Sequence, residues 1–277
     1  MAVIWHSVAL AALVAMIAGT QAAQAQSPAS WTGFYVGING GYGWGDPNST
    51  FTGNDPGGAS LLTNPASATP LATADSTSGG GTFGFQAGYN WQFAPRWVAG
   101  FEADFNFANT REREISTNVL GSVAIGGFTS GEAVSNERLK WFGTARARLG
   151  YLVTDDLLLF GTGGFAYGKV EQDAAFNITG DLGILGLLTP NEFVCLGHSV
   201  CFGGNRSSVE TGWTLGGGAE WRFWKNLSLK VDYTYINLRS SAFNISALRP
   251  FGTAGSSMKV SQDLEYQFVR AGLNWRF

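Results

Sequence analysis

From 269 to 277 every second residue is apolar. Val269, Ala271, Leu273, Trp275 and Phe277 fall on one side of an extended chain, and Arg270, Gly272, Asn274 and Arg276 fall on the other. Side chains alternate across a strand, so this stretch has one oily face and one polar, charged face. A wall with hydrocarbon outside and a polar interior needs that division, sustained over roughly 9 to 11 residues of a tilted strand. Seven more segments repeat it: 34–44, 82–93, 97–107, 139–151, 157–168, 213–223 and 227–238. The cleanest is 82–93, with Phe83, Phe85, Ala87, Tyr89, Trp91 and Phe93 against Thr82, Gly84, Gln86, Gly88, Asn90 and Gln92. The poorest is 157–168.

The connections order these segments. Those at 94–96, 152–156 and 224–226 are hairpin-sized, while 45–81, 108–138, 169–212 and 239–265 are long and rich in Gly, Ser, Thr, Asn and Pro. Strict alternation of short and long predicts an all-β fold, an eight-stranded antiparallel transmembrane β-barrel with tight periplasmic turns and extended extracellular loops. The aromatics agree with that arrangement. Trp91, Phe93, Trp97, Tyr151, Trp221, Phe223 and Trp275 gather at the turn end, and Trp44, Phe107, Trp141, Tyr167, Trp213 and Tyr235 at the loop end, as two interfacial girdles. The stretches 181–188 and 195–201 could add a hairpin, but neither alternates over membrane length.

Composition closes off other classes. Gly is 39 of 277 residues and aromatics are 14%, yet only 13% are charged and the net charge is −3, so no basic field exists to hold nucleic acid. After residue 25 no uninterrupted apolar run is long enough for a membrane helix. The apolar run 8–18, followed by Ala23-Gln24-Ala25, reads as a signal peptide over 1–25, although its start carries no Lys or Arg; the barrel domain is then 26–277. In the oxidising envelope this implies, Cys195 and Cys201 are expected to form a short-range disulfide. Metal binding by Cys195, His198 and Cys201 would have only three soft ligands.

The candidate functional residues are charges that alternation sends inward: Glu102, Asp104, Glu220 and Asp232 with Lys140, Arg146, Arg148, Arg222, Lys230, Arg270 and Arg276. Eight strands enclose a space that side chains can fill, and unpaired charges there would cost several kcal/mol. The expectation is a lumen plugged by salt bridges. The alternative is a narrow pore whose surplus cations favour anions. Catalysis is a remote third reading, because the mature chain has a single histidine, His198, in a long loop. The run Gly161-Thr-Gly163-Gly-Phe-Ala166 mimics a dinucleotide fingerprint, but no helix follows it, and no cofactor is expected.

The segments 31–44, 159–168, 212–220 and 270–277 closely resemble the small outer-membrane immunogenic β-barrel family of alphaproteobacteria, OmpA-like in architecture and often named porin family proteins. The resemblance covers the whole mature chain. It implies a Gram-negative outer-membrane location and roles in envelope integrity and surface interaction. Phe277 resembles the terminal signal that the barrel assembly machinery reads. Outer-membrane lipid, lipopolysaccharide and that machinery are the expected partners, with an unidentified surface ligand reached through the loops. Haemin binding, reported for some members, is not carried over, since only His198 offers a haem ligand. Protease added to intact cells is expected to nick within 45–81 or 169–212 and to spare 94–96 and 224–226. Fragment mapping by mass spectrometry checks this, and cleavage at the short turns would reverse the orientation.

Overall fold

The computed structural model describes residues 30–45, 48–54, 73–123, 127–180, 200–248 and 257–277. The signal segment 1–25, Cys195 and His198 lie outside them, so the expected Cys195–Cys201 bond does too. Trp31–Phe277 forms one compact unit. Its strands are β1 (Gly33–Gly45), β2 (Asn48–Gly53), β3 (Thr73–Ala94), β4 (Trp97–Val123), β5 (Gly127–Thr154), β6 (Leu157–Gly180), β7 (Val200–Arg222), β8 (Leu227–Ala247) and β9 (Ser257–Arg276). All pairings are antiparallel, and β1 pairs with both β3 and β9, which closes the ring.

Nine strands make eight staves. β1 runs along β9 as far as Gly45↔Tyr266, and β2 resumes at Asn48↔Asp263, so β2 extends the same stave. Following the register from Gly33 through Asn90, Gly100, Arg148, Thr162, Gly216, Thr234 and Phe268 returns to β1 at Gly43, ten residues further along. Eight staves with a stagger of ten tilt by about 40° and enclose a width that side chains can fill.

The staves are much longer than the predicted segments. β3 to β9 run 20 to 28 residues, whereas about 12 at this tilt cross a 30 Å hydrocarbon core. The surplus lies at the loop end. Much of what reads in sequence as loop is therefore strand, including 48–53 and 73–81, and 108–138 is mostly a β4–β5 ladder reaching Val123↔Gly127. The reason lies in the phase of the alternation. In β9, Val269, Leu273 and Trp275 face out, but Met258, Val260, Leu264, Tyr266 and Phe268 are buried inside while Lys259 and Asp263 are exposed. The apolar face switches sides between Phe268 and Val269. Below that level the barrel is oily outside; above it, the barrel is built like a water-soluble one, apolar inside and polar outside.

β6 alternates poorly for a related reason. Leu159 and Phe165 face lipid, while Leu158, Phe160, Ala166, Val170 and Phe176 are buried in the lumen, so both faces are apolar. A bulge corrects β5: register shifts between Leu139 and Trp141, so Leu139 is buried inside rather than facing lipid, and Lys140 is carried out of the lumen. The girdles are in contact within themselves, Trp97 on Tyr151 at the turn end (5.3 Å between ring centroids) and Trp141 on Phe105 and Tyr167 at the loop end (5.5 and 6.1 Å). Placing Arg at Ala145, on the exterior between the girdles, is expected to destabilise by about 2–4 kcal/mol, against about 0–1 at Thr211, beyond the Trp213 girdle position. Equilibrium unfolding in bilayers measures both; equal losses would refute the assignment of the oily band.

Candidate functional site in the lumen

Ladder register places the charges. Glu102 lies opposite Arg146, and Asp232 opposite Arg270. These neighbours pair directly: Arg146 Nη2 is 2.5 Å from Glu102 Oε1 and 2.7 Å from Asp104 Oδ2, and Arg270 Nη2 is 2.7 Å from Asp232 Oδ2. Glu220 lies opposite Lys230 in the ladder, yet both reach across the lumen instead. Arg148 Nη2 sits 2.5 Å from Glu220 Oε2, and Lys230 Nζ sits 2.9 Å from Glu102 Oε1.

Neutral groups fill part of the remaining valences, while Arg146 Nε, Arg148 Nε and Nη1, Arg270 Nε and Asp232 Oδ1 are buried without a hydrogen-bond partner among the described residues. Tyr35 donates to Glu102 (2.7 Å), Thr144 and Asn106 to Asp104 (2.8 and 2.7 Å), Asn274 and Ser228 to Glu220, and Lys230 also donates to Gln86 (2.7 Å). Arg146 adds Thr162 on β6 and Thr234 on β8. Every stave thus contributes to one network. Its four acids, Glu102, Asp104, Glu220 and Asp232, and four bases, Arg146, Arg148, Lys230 and Arg270, are each at most 5% exposed, and their formal charges cancel. Ions stripped of water to this degree are tolerable only when paired and hydrogen-bonded.

Of the three remaining sequence candidates, one leaves the lumen and two stand at its turn end. Lys140, expected in the lumen, is on the exterior, with Nζ 3.1 Å from Glu171, because the bulge at 139–141 turns it out. Arg222 and Arg276 face inward at the turn end, their guanidinium carbons 5.1 and 4.4 Å from the ring centre of Trp31, and Arg276 Nη2 is 3.9 Å from Glu220 Oε1, which joins it to the edge of the network. Arg222 also pairs with Asp156 at 3.0 Å. Phe277 is exposed, and its backbone N–H donates to Phe34.

Sequence reading missed Trp31 and Tyr35. Trp31 is fully buried, donating from its indole to the Asp155 carbonyl and from its backbone to Gln92, and it packs with Val98, Leu152 and Leu158 across the turn end. Tyr35 shares the inward parity of Gly37 and Asn39, a signal obscured by the rings around it. Glycine makes its room: a Cβ on Gly88 would lie 2.5 Å from Tyr35 Cζ. Above the charges, Phe142 stacks on Phe268 (4.6 Å) within a layer that includes Leu139, Val170, Ile236, Leu264 and Tyr266. A polar step follows, Gln172 donating to Gln262 and Tyr266 to Glu137, and then a second apolar layer around Phe51, Phe176, Phe202, Ile245, Met258 and Val260.

A closed antiparallel ring with an oily exterior band and two aromatic girdles defines an integral outer-membrane β-barrel. The chain belongs to the family described as outer membrane protein beta-barrel domain, which matches residues 9–277. It is 35% identical over 249 residues to the 31 kDa outer-membrane immunogenic protein of Brucella melitensis, covering 90% of this chain and 84% of that protein, and equally so to its namesake in Brucella suis. Among solved structures it is similar to the outer membrane protein OprG of Pseudomonas aeruginosa, with 12% identity and a TM-score of 0.45 over 89% of this chain and 97% of that one. Its location is the outer membrane.

The network predicts an asymmetry. Glu220→Ala removes the carboxylate that hydrogen-bonds Arg148, leaving it Glu102 at 4.0 Å, and is expected to destabilise by about 3 kcal/mol, whereas replacing both by leucine and methionine should cost far less. Denaturant titration of the folded protein in detergent compares the two, and equal losses would mean that Arg148 is solvated.

Proposed function

We propose that this protein is a closed structural element of the outer membrane that raises a stiff β-scaffold for surface interaction, rather than a solute pore or an enzyme. One observation carries the reading. Along the axis the lumen passes from the Trp31 layer to a paired ion network to two apolar layers, and the stack Phe142–Phe268 lies directly above the charges. A pore needs a continuous polar path with charge left over to select ions. Here the lumen acids and bases are engaged with each other between apolar layers. The same enclosure argues against catalysis by those carboxylates, since a substrate would have to enter a space that side chains occupy.

Planar-bilayer recording of the refolded protein tests this. Wild type should show little or no steady conductance, and Glu220→Ala should gain flickering conductance as Arg148, having lost its hydrogen-bonded carboxylate, loosens the packing. A steady, anion-selective current from wild type would replace the structural reading with the narrow-pore alternative.

A further inference from the structure

The exterior just above the loop-end girdle is electrically lopsided. On β4, β5 and β6 the outward positions there carry Arg111, Arg113, Arg138, Lys140 and Lys169, against two described acids, Glu171 and Asp173. On β8 and β9 at the corresponding level, Arg239 and Lys259 are matched by Asp263 and Glu265. The basic sector is also underpaired. Lys140 has its ion pair to Glu171, but Arg111, Arg113, Arg138 and Lys169 have none among the described residues. Arg111 and Arg138 are direct ladder partners, so two cations face each other across the strands, an arrangement that costs stability unless an anion lies between or beside them. Arg138 Nε is buried without a hydrogen-bond partner.

A second feature lies directly below on the same staves. Ala87, Ala103 and Ala145 are consecutive ladder partners, and their small side chains floor one end of an open apolar trough of 710 Å³ that reaches Phe105 and Tyr167 here and continues past Val36 to Leu273 and Trp275. Trp141, packed on both Phe105 and Tyr167, joins the trough to the cations, because its ladder partner is Lys169. The height is that of the outer-leaflet headgroups, where a girdle meets water.

We propose that this sector is a binding site for a phosphorylated glycolipid of the outer leaflet, the lipid A portion of lipopolysaccharide, with its phosphates on Arg111, Arg138 and Lys169 and an acyl chain in the alanine trough. Arginine matches phosphate geometry through paired N–H donors, and an amphiphile is the ligand that meets charge and trough together. The site rests on the orientation of the barrel and not on whether the lumen is closed, so a conductance result leaves it standing.

The test uses the folded full-length protein in detergent and measures affinity for diphosphorylated lipid A, its dephosphorylated form and inorganic phosphate. The triple variant Arg111→Gln, Arg138→Gln, Lys169→Gln should lose about tenfold or more in affinity for diphosphorylated lipid A, the scale of one or two charge-assisted contacts. Arg239→Gln with Lys259→Gln should change it little, and Ala103→Trp, which fills the trough, should weaken it too. Should the triple variant fail to fold, Lys140→Gln with Lys169→Gln, two cations at the Trp141 end of the patch, is the substitute and should weaken binding in the same direction. An unchanged affinity in the basic-sector variant, an equal loss in the β8–β9 variant, or equal binding of dephosphorylated lipid A by wild type would each overturn the proposal. Full competition by inorganic phosphate would assign the cations to a free anion instead, and also overturn it.

Discussion

Closure of β1 onto β9 is the constraint from which the rest follows. In hydrocarbon an unpaired strand edge has no water to turn to, so the sheet must return to its own beginning. Returning with a stagger of ten over eight staves sets the tilt and the radius together. At that radius inward side chains reach one another across the barrel. Whatever faces inward must therefore be satisfied by other inward residues, and the interior becomes a problem in charge balance before it is anything else.

The balance is reached by a division of labour between ladder and lumen. Glu102–Arg146 and Asp232–Arg270 join adjacent staves that backbone hydrogen bonds already hold. Arg148–Glu220 and Lys230–Glu102 instead cross from β5 to β7 and from β8 to β4. These resist flattening of the barrel, which ladder bonds alone do not. Glu102 is the hub, since it also accepts from Tyr35 on the first stave, so the stave that closes the ring is tied to the centre of the network. Cation–ring contacts extend the same logic to the turn end, where Arg222 and Arg276 flank Trp31 and the surplus positive charge lies against an aromatic face.

Much of this was legible in the amino-acid sequence because two signals were strong. Period-two alternation identified every membrane crossing, and the contrast of short and long connections set the topology. The ten lumen and turn-end charges other than Lys140 followed from parity alone. Lys140 failed because parity counting has no means of seeing a bulge: one extra residue at 139–141 exchanges the faces of everything near it. The upper staves failed for a different reason. Looking for apolar residues on a constant face, the reading stopped where that face changed sides, at Phe268–Val269 in β9 and at Tyr235–Ile236 in β8. Trp31 was invisible because it precedes β1 and belongs to no alternating run.

That change of phase says where the membrane ends. A single strand can serve two solvents provided its apolar residues switch from one face to the other at the boundary, and several staves here do so at matching heights. Below the switch, lipid replaces a protein core on the outside; above it, Phe51, Phe176, Phe202, Ile245, Met258 and Val260 make a true hydrophobic core inside a water-exposed barrel. Burying that core should keep the projecting hairpins rigid where isolated two-stranded ribbons would fray. For the proposed surface role the consequence is mechanical. Loops that would otherwise move near the lipid surface are carried on a stiff column continuous with the membrane-spanning wall, and the ring of polar residues where the column meets the headgroups becomes a fixed surface of defined charge.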